Sequence, residues 1–158
     1  MNLYLVQHAE AKQKEEDPER PLTENGISSI SRVAFFAAQY TDITVTRIIH
    51  SGKKRALQTA EILAKELKPE KGIEQGLELN PISQPWSWVE SLAQIEEDVM
   101  LVGHLPHLKR LTALLLCQDE SKQIVEFKNG GIISLVRNES GMWTMRWMVI
   151  PQIIPDVK

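Results

Sequence analysis

Apolar residues along this chain alternate between short continuous runs and stripes at helical spacing. Residues 3–6 form an apolar run that stops at polar Gln7-His8, which predicts a buried strand. The charged stretch 9–20, closed by Pro18 and Pro21, predicts a loop. Thr23 is placed to cap a helix over residues 25–39, where Ile27, Ile30, Val33, Ala34 and Ala37 share one face. Residues 45–49 predict a second buried strand, ended by His50-Ser51-Gly52. Ser51 is the expected N-cap of a following helix with Ala56, Thr59, Ala60, Leu63 and Leu67 inward, stopped by Pro69 and Gly72.

The middle of the chain is less regular. Residues 73–79 fit either a short strand or an extended loop. Residues 83–95 predict a helix with Trp86, Val89, Leu92 and Ala93 inward, and Trp86 and Trp88 read as packing residues. The apolar run 99–102 closes on Gly103-His104-Leu105-Pro106. Pro106 suits the first position of a helix burying Leu108, Leu111, Leu114 and Leu115. Strands are then expected over 125–127, 132–137 and 143–149, the last two joined through Asn138-Glu139-Ser140-Gly141. Strand–helix units followed by strands imply an α/β layered fold with a mostly parallel sheet, whose ligands sit at the carboxyl ends of the strands.

Composition narrows the function. At 158 residues the chain suits a single domain spanning 1–158. Its net charge of -3, without a basic stripe, argues against nucleic acid as a partner. The one cysteine, Cys117, follows Leu114-Leu115-Leu116 and is expected to be a buried thiol; no internal disulfide can form. The apolar start is too short for a signal core or a membrane span, so no membrane partner and a cytoplasmic location are expected. With no apolar interface stripe visible, a monomer is the expected state.

Three predicted strand ends each deliver a residue able to handle phosphate: Gln7-His8 from the first, Ser51 and then Arg55 from the second, His104 from the third. A phosphate monoester carries close to two negative charges. Oriented N–H groups at a helix start and a bidentate guanidinium are suited to hold it. A neutral imidazole can attack phosphorus, and a second one, if protonated, can stabilise the transferring group.

The wording of these segments resembles the histidine phosphatase superfamily. Val6-Gln7-His8-Ala9 is similar to its strand ending in Arg-His-Gly or Arg-His-Ala, and Pro21-Leu22-Thr23-Glu24-Asn25-Gly26 to its Pro-Leu-Thr-x-x-Gly. Ser51-Gly52-Lys53-Lys54-Arg55-Ala56-Leu57-Gln58-Thr59-Ala60 resembles its Ser-x-x-x-Arg-Ala-x-Gln-Thr-Ala, and Val102-Gly103-His104-Leu105-Pro106 its Val-Gly-His-x-Pro. The short length resembles the SixA-like phosphohistidine phosphatase branch. The resemblance implies a three-layer α/β/α sandwich of the phosphoglycerate mutase type and a metal-independent phosphatase with no cofactor. His8 would be the nucleophile, with Arg55 and His104 completing the catalytic set. Gln7, Arg20 and Ser51 would contact the phosphate. The substrate would be a phosphohistidine protein of a signalling relay or, alternatively, a small phosphomonoester.

Two positions depart from the pattern. Gln7 replaces the usual arginine, giving up a charge-assisted hydrogen bond of roughly 1.5–3 kcal/mol for a neutral one of roughly 0.5–1.5. Lost turnover, leaving a phospho-ligand-binding protein, is the third reading. No carboxylate stands out as general acid; Glu78 and Glu10 are the nearest candidates. An imidazole leaving group needs less acid help, which favours phosphohistidine. Of the remaining groups, His50 is a candidate for the pocket lining, and His107 is expected at the surface or rim. Lys53 and Lys54 flank the presumed phosphate. His104 and His107 lack the further ligands a zinc site needs, so no metal is expected.

Overall fold

The computed structural model of the protein describes residues 1–156. Its elements are β1 (Asn2–Gln7), α1 (Glu24–Tyr40), β2 (Arg47–His50), α2 (Lys54–Leu67), β3 (Ile73–Gln75), α3 (Trp86–Gln94), β4 (Val99–Gly103), α4 (His107–Cys117), β5 (Ile132–Arg137) and β6 (Trp143–Val149), followed by a short 3-10 turn, Pro151–Ile153. The strands form one sheet in the order β3-β2-β4-β1-β5-β6. The four strands β3, β2, β4 and β1 run parallel, and β5 joins β1 antiparallel.

The apolar runs are continuous because both faces of the sheet are covered. Tyr4, Val6, Ile48, Met100 and Val102 face α1 and α2, meeting Ile30, Val33, Ala37, Ala60 and Leu63. Leu3, Leu5, Ile49, Val99 and Leu101 face α3 and α4, meeting Trp88, Leu92, Leu108 and Leu111. The result is the three-layer α/β/α sandwich expected, with its core split between the two faces of the sheet.

Local chemistry accounts for most boundaries. Thr23 caps α1, its hydroxyl accepting from the Gly26 N–H at 2.9 Å. Gly26 itself is required by close approach: a Cβ there would lie 2.1 Å from the Glu10 carbonyl oxygen. The Asn138–Gly141 turn closes the β5–β6 hairpin as expected, with Asn138 N–H donating to the Met142 carbonyl at 2.9 Å. Residues 73–79 resolve into a three-residue strand and a loop.

Several expectations need correction. Residues 125–127 form no strand; the segment is a loop that seats Phe127 in the core. Trp86 and Ala93 face outward and Trp88 inward, since α3 begins only at Trp86 and presents Trp88 and Leu92 to the sheet. Cys117 is exposed, being the last residue of α4 before the left-handed Gln118 cap. His107 is fully buried, on the α4 face it shares with Leu111 and Leu114.

Candidate active site

The strand order brings the three expected strand ends side by side. β4 lies between β1 and β2, so His104 stands between His8 and Ser51. The His8 and His104 ring centroids are 5.0 Å apart, tilted by 53°. Arg55, the second residue of α2, reaches across to donate from Nε to His8 Nε2 at 3.2 Å. His8, Arg55 and His104 therefore form one buried cluster, as their spacing in the sequence implied.

His8 is held on every side. Its backbone N–H donates to the Gly103 carbonyl at 3.0 Å, and its carbonyl accepts from Asn129 Nδ2 at 3.0 Å. Its ring Nδ1 lies 2.7 Å from the Ala9 carbonyl oxygen, which requires the proton on Nδ1. Nε2 then carries the lone pair, consistent with its accepting from Arg55. Burial pushes the His8 pKa down to about 4, the positive charges of Arg55 and Arg20 adding to this and the Ala9 carbonyl opposing it. At neutral pH the ring is neutral and nucleophilic at Nε2.

His104 is held by Ser51, whose Oγ lies 2.6 Å from its Nε2. This corrects the expectation that Ser51 caps α2. Gly52, at φ +86°, carries the chain one residue further, and Lys53 becomes the N-cap with no side-chain bond. The Ser51 hydroxyl is within 3.4 Å of the Lys53 N–H but pairs far more closely with His104. The first N–H groups of α2 thus lack a side-chain cap beside Arg55, the arrangement of a helix start open to an anion. Burial, then the charges of His8, Arg55 and Lys53, lower the His104 pKa to about 3.

Arg20 adopts a left-handed backbone conformation (φ +50°) and donates from Nε to the Lys12 carbonyl at 3.0 Å. Its charge bears on both His8 and Arg55, so it stands on the same side of the site. Lys53 bears on His104, whereas Lys54 is engaged by Glu19 at 2.7 Å. Gln7 forms no bond to the histidine pair. Its side chain lines a 220 Å³ cavity with Glu10, Asn25, Leu105, Lys128 and Asn129, and its Oε1 is buried without a partner among the described residues.

Neither candidate acid touches the cluster. Glu10 accepts from Thr23 Oγ at 2.6 Å and Asn25 Nδ2 at 3.0 Å, which lowers its pKa and keeps it ionised. Glu78 lies exposed in a separate groove with Ile49, Ser87 and Trp88. His50 accepts from the Gly52 N–H at 3.0 Å and senses Glu61, so it serves the turn and the α2 side. Among the described residues, no three His, Cys, Asp or Glu side chains group as metal ligands, and no helix is long and apolar enough to cross a membrane.

Two supporting residues carry more than their sequence setting conveyed. Thr59, polar within the inner stripe of α2, accepts from the Ala9 N–H at 3.0 Å and donates to the Arg55 carbonyl at 2.7 Å. It ties the loop behind His8 to the turn that carries Arg55. Asn129 reads in the sequence only as part of a Gly-rich turn, yet it fixes His8. A polar residue inside an apolar stripe was the available signal for the first; nothing local marked the second.

Comparison with known proteins agrees with this geometry. Residues 3–78 match the model of the Histidine phosphatase superfamily (branch 1). No curated protein matches the chain. Among solved structures, the protein histidine phosphatase SixA complexed with tungstate superposes with a TM-score of 0.84 at 25% identity, over 96% of this chain and 98% of that one. The alpha-ribazole phosphatase from Shigella flexneri gives 0.77 at 16% identity over 100% of both chains. Phosphoglycerate mutase from Bacillus anthracis gives 0.65 at 16%, over 92% and 91%. The last two establish likeness of fold.

Proposed function

The chain belongs to the histidine phosphatase superfamily, and from that premise we propose that it is a metal-independent phosphohistidine phosphatase with His8 as nucleophile. The observation that carries this reading is the His8 tautomer: Nδ1 bound to the Ala9 carbonyl, and the lone pair on Nε2, where it accepts from Arg55. His8 Nε2 attacks phosphorus, and the bond from phosphorus to the substrate nitrogen breaks. A substrate imidazole protonated on its other nitrogen leaves as neutral imidazole, without a proton from the enzyme. The positive charge arising on the His8 ring is met by the Ala9 carbonyl through the Nδ1 proton. Water then attacks the phosphoryl group, releasing phosphate and returning His8 to its neutral form.

Arg55, Arg20 and Lys53 supply positive charge for the phosphoryl oxygens, and Arg55 exchanges its bond to Nε2 for one to phosphate. A phosphoryl dianion between these groups also opposes the depression of the His104 pKa, favouring the protonated ring that stabilises the transferring group. Phosphohistidine is preferred over an ester as substrate because, among the described residues, no carboxylate contacts the cluster. Glu10 is held by Thr23 and Asn25, and Glu78 faces another groove. An alcohol leaving group would lack its acid.

The test is phosphate release by the purified protein with EDTA present, from a phosphohistidine protein and from para-nitrophenyl phosphate, with His8→Ala alongside. Release from phosphohistidine that vanishes in the variant is expected. Release only from the aryl ester would reassign the substrate to small phosphomonoesters. Phosphate binding without release would make this a binding protein, the reading that the uncharged Gln7 favours.

A further inference from the structure

The connection from β3 to α3 turns its large apolar side chains outward. Leu77 is 83% exposed, Ile82 85% and Trp86 52%. Yet the segment is braced. The Gly76 N–H donates to the His50 carbonyl at 2.9 Å, Trp88 Nε1 donates to the Leu77 carbonyl at 3.1 Å, and Arg110 holds Gln84 Oε1 at 3.0 Å. Leu79 is fully buried, and its carbonyl oxygen is 3.5 Å from where a Cβ on Gly103 would stand, one residue before His104. The three apolar side chains are therefore mounted on a fixed platform at the sheet end that carries His8, Ser51 and His104. Scattered exposed apolar residues are ordinary; three within ten residues on a braced segment beside a reactive site are an interaction surface.

Charge says what kind of partner fits. Between Lys71 and Lys109 the chain holds no Lys or Arg, the longest such stretch in the sequence. Its carboxylates Glu74, Glu96 and Glu97 are paired with Arg47, Arg137 and Lys71, and Asp98 is bonded to Asn2 and Thr44. Glu78 and Glu90, which border the apolar side chains in sequence, have no ion pair among the described residues. A small phosphate ester needs only the cationic cluster and would make no use of an apolar, acidic platform next to it. A protein surface with apolar side chains flanked by lysine or arginine fits both features.

We propose that residues 77–86 are a docking platform for the phosphohistidine-bearing protein, engaging an apolar surface of that protein flanked by basic residues. The identity of the cargo rests on the phosphatase reading above; the platform itself does not.

The test uses the triple variant Leu77→Ser, Ile82→Ser, Trp86→Ser, which alters exposed side chains and leaves the net charge unchanged. A lysine-rich histone is the probe. Calorimetric titration compares its binding to parent and variant, and kcat/KM is measured on the same histone after phosphoramidate treatment and on para-nitrophenyl phosphate. The variant is expected to bind histone about tenfold more weakly, with KM for the phosphohistidine histone rising in step and the aryl ester unaffected. Equal binding by parent and variant, no binding by the parent, or equal losses on both substrates would overturn the proposal. If the phosphatase reading alone fails, the parent releases no phosphate while the binding contrast between parent and variant persists.

Discussion

On the proposed mechanism, protonating His8 removes the attacking lone pair, so its pKa sets how activity responds to acid. An imidazole at its ordinary pKa of about 6.5 would be only ~3% neutral at pH 5, against ~76% at pH 7, and kcat/KM would fall about 25-fold. His8 is 9% exposed and faces Arg55 and Arg20, which places its pKa at about 4. At that value about nine-tenths of the protein remains neutral at pH 5, so the protein's own contribution to kcat/KM changes by less than about twofold. The assay is an NMR titration of the imidazole carbons, assigned with single-histidine variants, beside kcat/KM corrected for the ionisation of the substrate phosphate. All four histidines have depressed pKa values by burial, so none should titrate at 6.5. A His8 resonance with its midpoint near 6.5, matched by an acid limb there, would refute the tautomer and charge reasoning together.

Other consequences are equally open to measurement. Ser51→Ala strips His104 of the one ring hydrogen bond it makes among the described residues and should lower kcat about ten- to a hundredfold with a smaller change in KM; an unchanged kcat would show that Ser51 does not position His104. Gly26→Ala drives a methyl group into the Glu10 carbonyl and loosens the Thr23 N–H bond to it, so thermal unfolding should report a loss of about 2–4 kcal/mol despite alanine's better helix propensity. His107 is buried with both ring nitrogens unpartnered among the described residues, and its pKa is near 4. The unfolded chain binds a proton at this residue that the folded chain does not, so stability is lost as pH falls from about 6.5 toward 4. His107→Leu removes that liability. Urea unfolding should show the variant gaining up to about 2 kcal/mol on the parent between pH 7 and pH 5, and a constant difference would count against it.

How much of this was legible in the sequence varies with the kind of interaction. Runs 3–6, 45–49 and 99–102 identified the central strands because both faces are covered, and no alternation is needed there. Thr23 signalled its cap through a purely local hydrogen bond. The convergence of His8, Arg55 and His104 followed from parallel strands sharing one carboxyl end. What failed depended on distant partners. Phe127 has the apolar character of a strand residue, but its burial comes from packing into the cluster with Leu3, Leu101 and Leu108 rather than from strand pairing. Ser51 had two acceptable fates, helix cap or imidazole partner, and only the seating of β4 between β1 and β2 decides for His104. His107 and Cys117 traded their expected burial although the leucine stripe of α4 is buried as expected: His107 lies one turn before Leu111 on that same face, and Cys117 is the helix's exposed last residue.

The central claim, that the phosphoryl group passes through His8, is tested most directly by trapping it. Rapid mixing with phosphohistidine substrate, quenching in alkali and peptide mass spectrometry should find phosphate on the peptide containing His8, appearing before free phosphate and absent in His8→Asn. Phosphate release with no such intermediate, or a labelled residue other than His8, would contradict the account.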